Sequence, residues 1–307
     1  MNITFGGERG ELVYGTCEVS IPRYHQVGQL ESPSIWKLEF REDPAKHVMV
    51  MSVKTLPKEL YFAQLSTAIA GSRKRSAFVF VHGYNVSFED AARRTAQMSY
   101  DLGYGGIPVF FSWPSQASVA AYTVDEQNIE WAEKGLRSFL EDVLTRSGTS
   151  EVILVAHSMG NRGLTRAMGS LLAKNPSLAA KVKEIILAAP DIDADVFKDT
   201  IAPALIAAQR PITLYASSKD LALTASKDVH GYARAGDAGP GLVIIPGIET
   251  VDATLVDTSL LGHSYIGDSR SVISDMTALV LDGTRADKRS GLKLVNGSGG
   301  RYWSFKP

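Results

Sequence analysis

The chain has 307 residues, 45% of them hydrophobic, and its charges nearly cancel, with 32 basic against 33 acidic side chains. Because no basic tract is present to neutralise a run of phosphates, we expect no nucleic-acid partner. The single cysteine, Cys17, excludes an internal disulfide and any metal site built on several thiolates, and we interpret it as a small buried hydrophobe. The sequence shows neither an export signal nor a run long enough for a membrane span, so we expect a cytoplasmic protein.

The first 60 residues predict antiparallel strands. Their hydrophobic stretches are short, β-rich and separated by turn residues: LVYGTCEVSI at 12–21, IWKLEF at 35–40 and HVMVMSV at 47–53.

From Ser76 onward, strands and helices are predicted to alternate. The elements in chain order are the strand AFVFV, a helix over Phe88–Leu102, the strand IPVFFSW, a helix over Glu126–Leu144, a strand ending at Val155, a helix after Ser158, the strand EIILAA, a helix after Asp193, and the strands PITLYAS and GLVIIP. Two of these helices begin at capping-box spacings, Ser87 with Asp90 and Thr123 with Glu126. The alternation predicts a mostly parallel sheet with helices on both faces, in a single domain over 1–307. Within it we expect opening strands over 1–60, a catalytic core over 76–285 and a C-terminal tail over 286–307, flexible at 297–300.

The segment EVILVAHSMGNRGLTRAM, at 151–168, predicts a nucleophile elbow at Ser158. In that motif the serine occupies a strained strand-to-helix turn, which lifts its hydroxyl clear of the backbone. Ala156 and Gly160 supply the small flanking residues that the tight turn needs. The common pattern has glycine at the first of these positions, so Ala156 departs from it by one methyl group. The alternative is an ordinary turn whose serine caps a helix.

An HG turn follows AFVFV and predicts one wall of an oxyanion hole. The backbone N–H of Tyr84, or less favourably that of Asn85, is expected to act with the N–H of Met159. We interpret His82 as a residue that holds this loop by hydrogen bonds, and we place His82 and Asn85 beside the substrate. Trp113, after IPVFFS, is a candidate wall of the acyl pocket, although core packing explains it equally well.

The general base is expected after the acid and beyond the last strand, because elbow-containing hydrolases carry serine, acid and histidine in that order. His263, in LLGHSYIGDS, fits this position. Its rival, His230, precedes the predicted strand GLVIIP and requires an unusual path.

Asp220 is the preferred acid, because it follows the strand PITLYAS at the commonest position for the carboxylate of the triad. Asp191 and Asp193 are the alternatives, after the preceding strand. Their other interpretation is a helix start, where acidic side chains complement the positive end of the helix dipole.

Six ordered segments resemble the bacterial α/β-hydrolase family catalogued as domain of unknown function number nine hundred. They are FVHGYNVSFEDAARRTAQ, FFSWPSQ, VAHSMGNRGLTRAM, LAAPDIDADVF, LYASSKDLAL and GHSY, and the resemblance runs from about Tyr14 to about Leu281. It implies the α/β-hydrolase fold and a serine-hydrolase site matched by Ser158, Asp220 and His263. The interval from Pro190 to Arg210 leaves no room for a large cap domain.

The expected function is that of a serine hydrolase, a carboxylesterase or lipase-like enzyme acting on a small-molecule ester through an acyl-enzyme at Ser158. No cofactor and no metal is required. An acyltransferase with the same triad, or a noncatalytic binding protein on the same scaffold, are the alternatives.

Overall fold

Ten strands are present in the residues that our computed structural model describes, which are 5–33, 41, 43–219, 223, 226–227, 230–256, 269–297 and 299–306. They are β1 Tyr14–Ser20, β2 Met49–Leu56, β3 Ser76–Val81, β4 Ile107–Phe111, β5 Glu151–His157, β6 Val182–Ala188, β7 Ile212–Ala216, β8 Glu249–Asp252, β9 Leu292–Gly297 and β10 Gly300–Phe305.

Helices connect most of these strands. They are α1 Lys58–Gly71, α2 Phe88–Asp101, α3 Tyr122–Arg146, α4 Gly160–Lys174, α5 Ala194–Val196, α6 Ala202–Ile206 and α7 Ser269–Asp282. A π-helical turn, Phe197–Ile201, joins α5 to α6, and 3₁₀ turns occupy Val119–Ala121, Pro176–Lys181 and Ala286–Lys288.

Eight of the strands form one sheet in the order β4-β3-β5-β6-β7-β8-β10-β9. Neighbours pair in parallel, except that β9 runs antiparallel to β10. β1 and β2 form a separate antiparallel pair near the N-terminus. Because β3, β5, β6 and β7 lie side by side and run in one direction, the residues that follow them meet at one edge of the sheet.

Helices on both faces bury the central strands, which are accordingly apolar along their length. In β3, Val79 and Val81 belong to one core cluster, whereas Phe78 and Phe80 belong to the other on the opposite face. This division follows from the alternation of side chains along a strand. Burial of each such side chain contributes roughly 1.5–3 kcal/mol, so the two clusters fix the strand positions firmly.

The predicted fold class, a mostly parallel sheet with antiparallel N-terminal strands, is confirmed. Ser87 caps α2 as expected: its hydroxyl oxygen accepts from the Asp90 N–H at 3.1 Å. The predicted box at Thr123 is wrong, since the N-cap of α3 is Ala121, two residues earlier, and Thr123 already lies in the first turn. The helix α1 was not predicted, and the strand expected at 35–40 lies outside the described residues.

One expectation near the C-terminus is wrong. GLVIIP is not a strand: Val243 is buried and its carbonyl accepts from the Thr250 hydroxyl at 2.8 Å, so this apolar run packs on the core as a loop, and the strand β8 follows it. The described part of the expected C-terminal tail contains two strands of the sheet. β9 and β10 form a hairpin in which Gly297 pairs with Gly300, and Trp303 of β10 pairs with Val251 of β8.

Candidate active site

Ser158 occupies the strained turn between β5 and α4. Its φ of 48° lies in the left-handed region, which costs a residue with a side chain of order 1–3 kcal/mol and is typical of functional positions. The Ser158 N–H donates to the Ala188 carbonyl at 2.9 Å, and the Ser158 carbonyl accepts from the N–H groups of Asn161 at 3.1 Å and Asp191 at 3.2 Å. The Asn161 side-chain amide donates to the same two carbonyls, at 2.9 and 3.1 Å. We call residues 156–160 the Ser158 elbow.

The small residues that flank Ser158 are required by close packing. Ala156 is completely buried. A Cβ added to Gly160 would lie 2.3 Å from the His82 carbonyl oxygen and 2.7 Å from that of Val81. The elbow therefore touches the backbone at the end of β3, and only glycine fits at position 160.

The HG turn after β3 lies against Ser158. A Cβ added to Gly83 would lie 3.0 Å from the Ser158 Cβ and 2.9 Å from His157 Nδ1. His82 fixes this turn: its Nδ1–H donates to the Gly83 carbonyl at 2.8 Å, and its Nε2 accepts from the Trp113 N–H at 3.2 Å. Burial lowers the pKa of His82 to about 4. The ring is therefore neutral, and both of its nitrogens are engaged, in agreement with a role in holding the loop.

The N–H groups near Ser158 differ in their engagement. The Asn85 N–H donates to the Asp125 carboxylate at 3.3 Å, whereas the Met159 N–H has no acceptor among the described residues. The Tyr84 ring is buried and packs against Tyr122, with ring centroids 5.2 Å apart.

Trp113 stacks on His82, with ring centroids 5.0 Å apart, and its indole N–H donates to the His82 carbonyl at 2.8 Å. It also lines a cavity of about 790 Å³ between the N-terminal segment and α3. Trp113 is therefore buried, packs against His82 and also contributes to the wall of this cavity.

Asp191, which follows β6, lies in a buried polar cluster. Its carboxylate accepts from the Tyr122 hydroxyl, from the Ser226 hydroxyl at 2.6 Å, from Arg234 Nε at 2.8 Å and from Arg162 Nη2 at 3.3 Å. We call these five residues the Asp191 hub. Burial alone would raise the pKa of the Asp191 carboxyl, but Arg162 and Arg234, followed by the two hydroxyls, hold it below its usual value.

The neighbouring carboxylate has a different role. Asp193 caps α5, where its side chain accepts from the N–H groups of Asp195 and Val196, both at 3.0 Å. The interpretation as a helix start therefore applies to Asp193 and not to Asp191.

Asp220 and His263, the preferred acid and base, lie outside the described residues. The rival His230 donates from Nδ1 to the Ser226 carbonyl at 2.7 Å, and its Nε2 is 2.8 Å from the Glu126 carboxylate. These contacts join His230 to the backbone of Ser226 and to Glu126 on α3, so both of its ring nitrogens are engaged.

A family model described as "Alpha/beta hydrolase of unknown function (DUF900)" matches residues 60–282. The chain belongs to this family. No curated protein matches the chain.

The solved structures that are similar to this DUF900 protein include hydrolases, and their sequence identity to this chain is low. A CIB-like hydrolase from Thermoplasma acidophilum shares 14% identity over 87% of this chain and 98% of its own, with a TM-score of 0.38. The esterase Est1E from Butyrivibrio proteoclasticus, solved with ferulic acid, shares 9% over 69% and 91%, with a TM-score of 0.39. A fungal esterase from Rhizomucor miehei shares 12% over 88% and 84%, with a TM-score of 0.41.

Sequence reasoning missed most of the hub of this DUF900 protein. Arg162 and Arg234 reach Asp191 across 29 and 43 positions of the chain. The available signal was arginine in otherwise buried surroundings, because a buried guanidinium requires a carboxylate partner.

Among the described residues, no helix is long and apolar enough to cross a membrane.

Proposed function

We propose that this protein is a serine hydrolase that cleaves carboxylic esters through an acyl-enzyme on Ser158. The observation that carries the proposal is the backbone of Ser158 at a φ of 48°, held between β5 and α4 with Gly83 directly against its side chain. A strained serine at the carboxyl edge of a parallel sheet is the backbone arrangement of a nucleophile elbow. Membership in an α/β-hydrolase family agrees with this chemistry.

His263 is the proposed general base, because of its position in the chain and because four of the other histidines are engaged elsewhere. The chain has six. Among the five that the structure describes, His82 and His230 have both ring nitrogens in hydrogen bonds, His25 lies between the carboxylates of Glu31 and Asp101, and His47 accepts from the Asp43 N–H. His157 directly precedes Ser158, and its Nδ1 lies near the HG turn, 2.9 Å from the position of a Cβ added to Gly83. His263, in the segment before α7, is preferred because it follows Ser158 and Asp220 in the order serine, acid, histidine.

Asp220 is the proposed acid. It lies four positions beyond the end of β7. The alternative, Asp191, already accepts hydrogen bonds from four side chains, which leaves its carboxylate little capacity for an imidazole. In this role Asp220 holds the His263 tautomer and stabilises the imidazolium.

The N–H groups of Tyr84 and Met159 are the proposed oxyanion donors. Met159 follows the nucleophile directly, and Tyr84 belongs to the turn that Gly83 brings against Ser158. Asn85 is the weaker choice, because its N–H donates to Asp125. Removal of one such donor typically costs about 2.7–4 kcal/mol of transition-state stabilisation.

The reaction then follows acyl-transfer chemistry. His263 takes the Ser158 proton as the oxygen attacks the ester carbonyl, the two N–H groups hold the oxyanion, and His263 returns the proton to the departing alcohol. Water, activated in the same way, releases the carboxylic acid. Trp113 is the proposed wall of the acyl pocket.

Labelling with a fluorophosphonate, followed by peptide mapping, tests the proposal. We expect one modified peptide, containing Ser158, and no labelling of Ser158→Ala. Mutation of Ser177 to alanine is the matched control, because that exposed serine lies beyond the far end of α4. Undiminished labelling of Ser158→Ala would contradict the proposal by placing the nucleophile elsewhere. A wild-type protein that neither labels nor hydrolyses p-nitrophenyl esters would contradict it and favour a noncatalytic binding protein.

A further inference from the structure

We infer that Asp191 is a positioning residue of this site, whose carboxylate fastens together the Ser158 elbow, the turn that carries Tyr84 and the segment that follows β7. The expected effect of Asp191 on catalysis rests on the proposed function. The mechanical claim, that Asp191 holds these three segments together, rests on the contacts alone. Three connections carry it.

The first connection reaches the elbow. The Asp191 N–H donates to the Ser158 carbonyl at 3.2 Å, so the position of Asp191 fixes the peptide that follows the proposed nucleophile. Arg162, in the first turn of α4, donates from Nε to the Asp191 carbonyl and from Nη2 to its carboxylate. The bonds made by Ser158 and Arg162 to Asp191 therefore connect the elbow and the start of α4 to the loop after β6.

The second connection reaches the HG turn. The Tyr122 hydroxyl donates to the Asp191 carboxylate and accepts from Arg162 Nη2 at 3.0 Å. This orients the Tyr122 ring against the Tyr84 ring. Displacement of Tyr122 would therefore also displace Tyr84, whose N–H is a proposed oxyanion donor.

The third connection reaches the segment after β7. Ser226 and Arg234, both in that segment, donate to the Asp191 carboxylate at 2.6 and 2.8 Å. Backbone hydrogen bonds fasten the same segment nearby, from Gly236 to the Pro190 carbonyl at 2.9 Å and from Ser217 to the Gly236 carbonyl at 2.9 Å. Asp220 lies between Ser217 and Ser226 in the chain, so the hub and these bonds hold the flanks of the proposed acid.

The charges make the carboxylate of Asp191 hard to replace. Its side chain and that of Arg234 are 2% and 4% exposed. Arg162 has a second carboxylate partner in Glu126, but Asp191 is the only acidic partner of Arg234 among the described residues. Loss of the Asp191 charge therefore leaves a buried guanidinium without a counter-ion, and the segment that carries it must move.

The test compares Asp191→Asn with Tyr122→Phe, which removes only the hydroxyl connection, and with Glu184→Gln as the matched control. Glu184 is a similarly buried carboxylate that accepts from Thr213 and Arg285, but it lies near the start of β6, away from the elbow. Two measurements are made on each protein. One is amide hydrogen exchange of the peptides covering 82–86, 155–163 and 217–219, and the other is kcat and KM for a p-nitrophenyl ester with its pH profile.

In Asp191→Asn we expect exchange in all three peptides to rise about tenfold or more, with kcat lowered about 10- to 100-fold, KM changed less than threefold and the pH midpoint unchanged. Tyr122→Phe removes the hydroxyl that bonds Asp191, Arg162 and Ser226 but keeps the Asp191 charge, so it should give a smaller change in the same peptides. Glu184→Gln should change neither exchange in these peptides nor kcat.

Unchanged exchange in folded Asp191→Asn and Tyr122→Phe would overturn the inference, as would an equal effect of Glu184→Gln. A shifted pH midpoint with a loss of kcat near 10⁴-fold would also overturn it, since it would make Asp191 the acid itself. If the wild type has no esterase activity, the proposed function fails, and the exchange measurement still decides the mechanical claim.

Discussion

Replacement of Gly160 by alanine tests whether the elbow depends on its contact with the end of β3. The new Cβ would lie 2.3 Å from the His82 carbonyl oxygen, and it must move to at least 3.0 Å, so a separation of about 0.7 Å is needed. The obstacle is backbone at the end of β3, which cannot rotate away as a flexible side chain would. Overpacking of this kind typically costs about 1–3 kcal/mol of the free energy of unfolding, and a contact with a fixed carbonyl places Gly160→Ala at the upper end.

We expect the kcat of Gly160→Ala to fall together with its free energy of unfolding. His82 directly precedes Gly83, so a shift of the His82 peptide moves the HG turn away from Ser158. Misplacement of a catalytic group by about 1 Å can cost about 100-fold in rate, so we expect kcat to fall about 10- to 100-fold with KM less affected.

Gly169 provides the matched control in the same helix. A Cβ there would meet only the Ala204 Cβ, at 3.9 Å, which is an ordinary contact. Gly169→Ala should therefore stabilise α4 by about 0.5–1 kcal/mol, the usual gain when alanine replaces glycine within a helix. Urea unfolding of both variants, with steady-state kinetics, measures the difference. If Gly160→Ala unfolds within about 0.5 kcal/mol of the wild type and keeps its kcat, the close packing of the elbow is refuted.

Two further predictions concern the acid and the buried imidazole. Asp220→Asn should lower kcat about 10⁴-fold without unfolding the protein, because the proposed base loses the partner that fixes its tautomer; single-turnover kinetics check this, and a loss below about tenfold would exclude Asp220 as the acid. His82 has a pKa of about 4 in the folded protein because it is buried, against about 6.5 when unfolded, so its contribution of about 3 kcal/mol is complete above pH ~6.5 and is lost as the pH falls through 4. The free energy of unfolding of His82→Gln should therefore fall less steeply than that of the wild type between these pH values, and parallel curves would contradict the neutral state of His82.

The position of the site could be predicted from the sequence because it depends on local patterns. β3 and β5 are continuous apolar runs, and in parallel sheets functional residues follow such strands directly. This reasoning placed Gly83 and Ser158 at the same edge of the sheet, where the structure finds them in contact.

The errors in the predicted strands arise where buried apolar residues are not paired in the sheet, or where residues paired in the sheet are only partly buried. GLVIIP has the composition of a strand, yet Val243 is buried as part of a loop, whereas ETVD at 249–252 pairs with both of its neighbours although only two of its residues are buried. An apolar run in the sequence indicates that its residues are buried, but it does not indicate whether their backbone pairs with a neighbouring strand. The Asp191 hub was inaccessible for another reason: Tyr122 and Asp191 are 69 positions apart, and side-chain pairing over such distances leaves no periodic signal.

The strain at Ser158 is sustained by a second strained residue beside it. Ala189, directly after β6, has a φ of 45°, and its N–H donates to the Tyr215 carbonyl of β7 at 2.8 Å. Each of these positive φ values costs about 1–3 kcal/mol, whereas each hydrogen bond contributes about 0.5–1.5 kcal/mol net, so over most of this range more than one hydrogen bond is needed to hold each turn. The two turns share their bonds instead: Ser158 donates to Ala188, and Asp191 donates back to Ser158. Relaxation of one turn would therefore break the bonds of the other, and this mutual constraint is what keeps the Ser158 backbone in a conformation that an isolated turn would abandon.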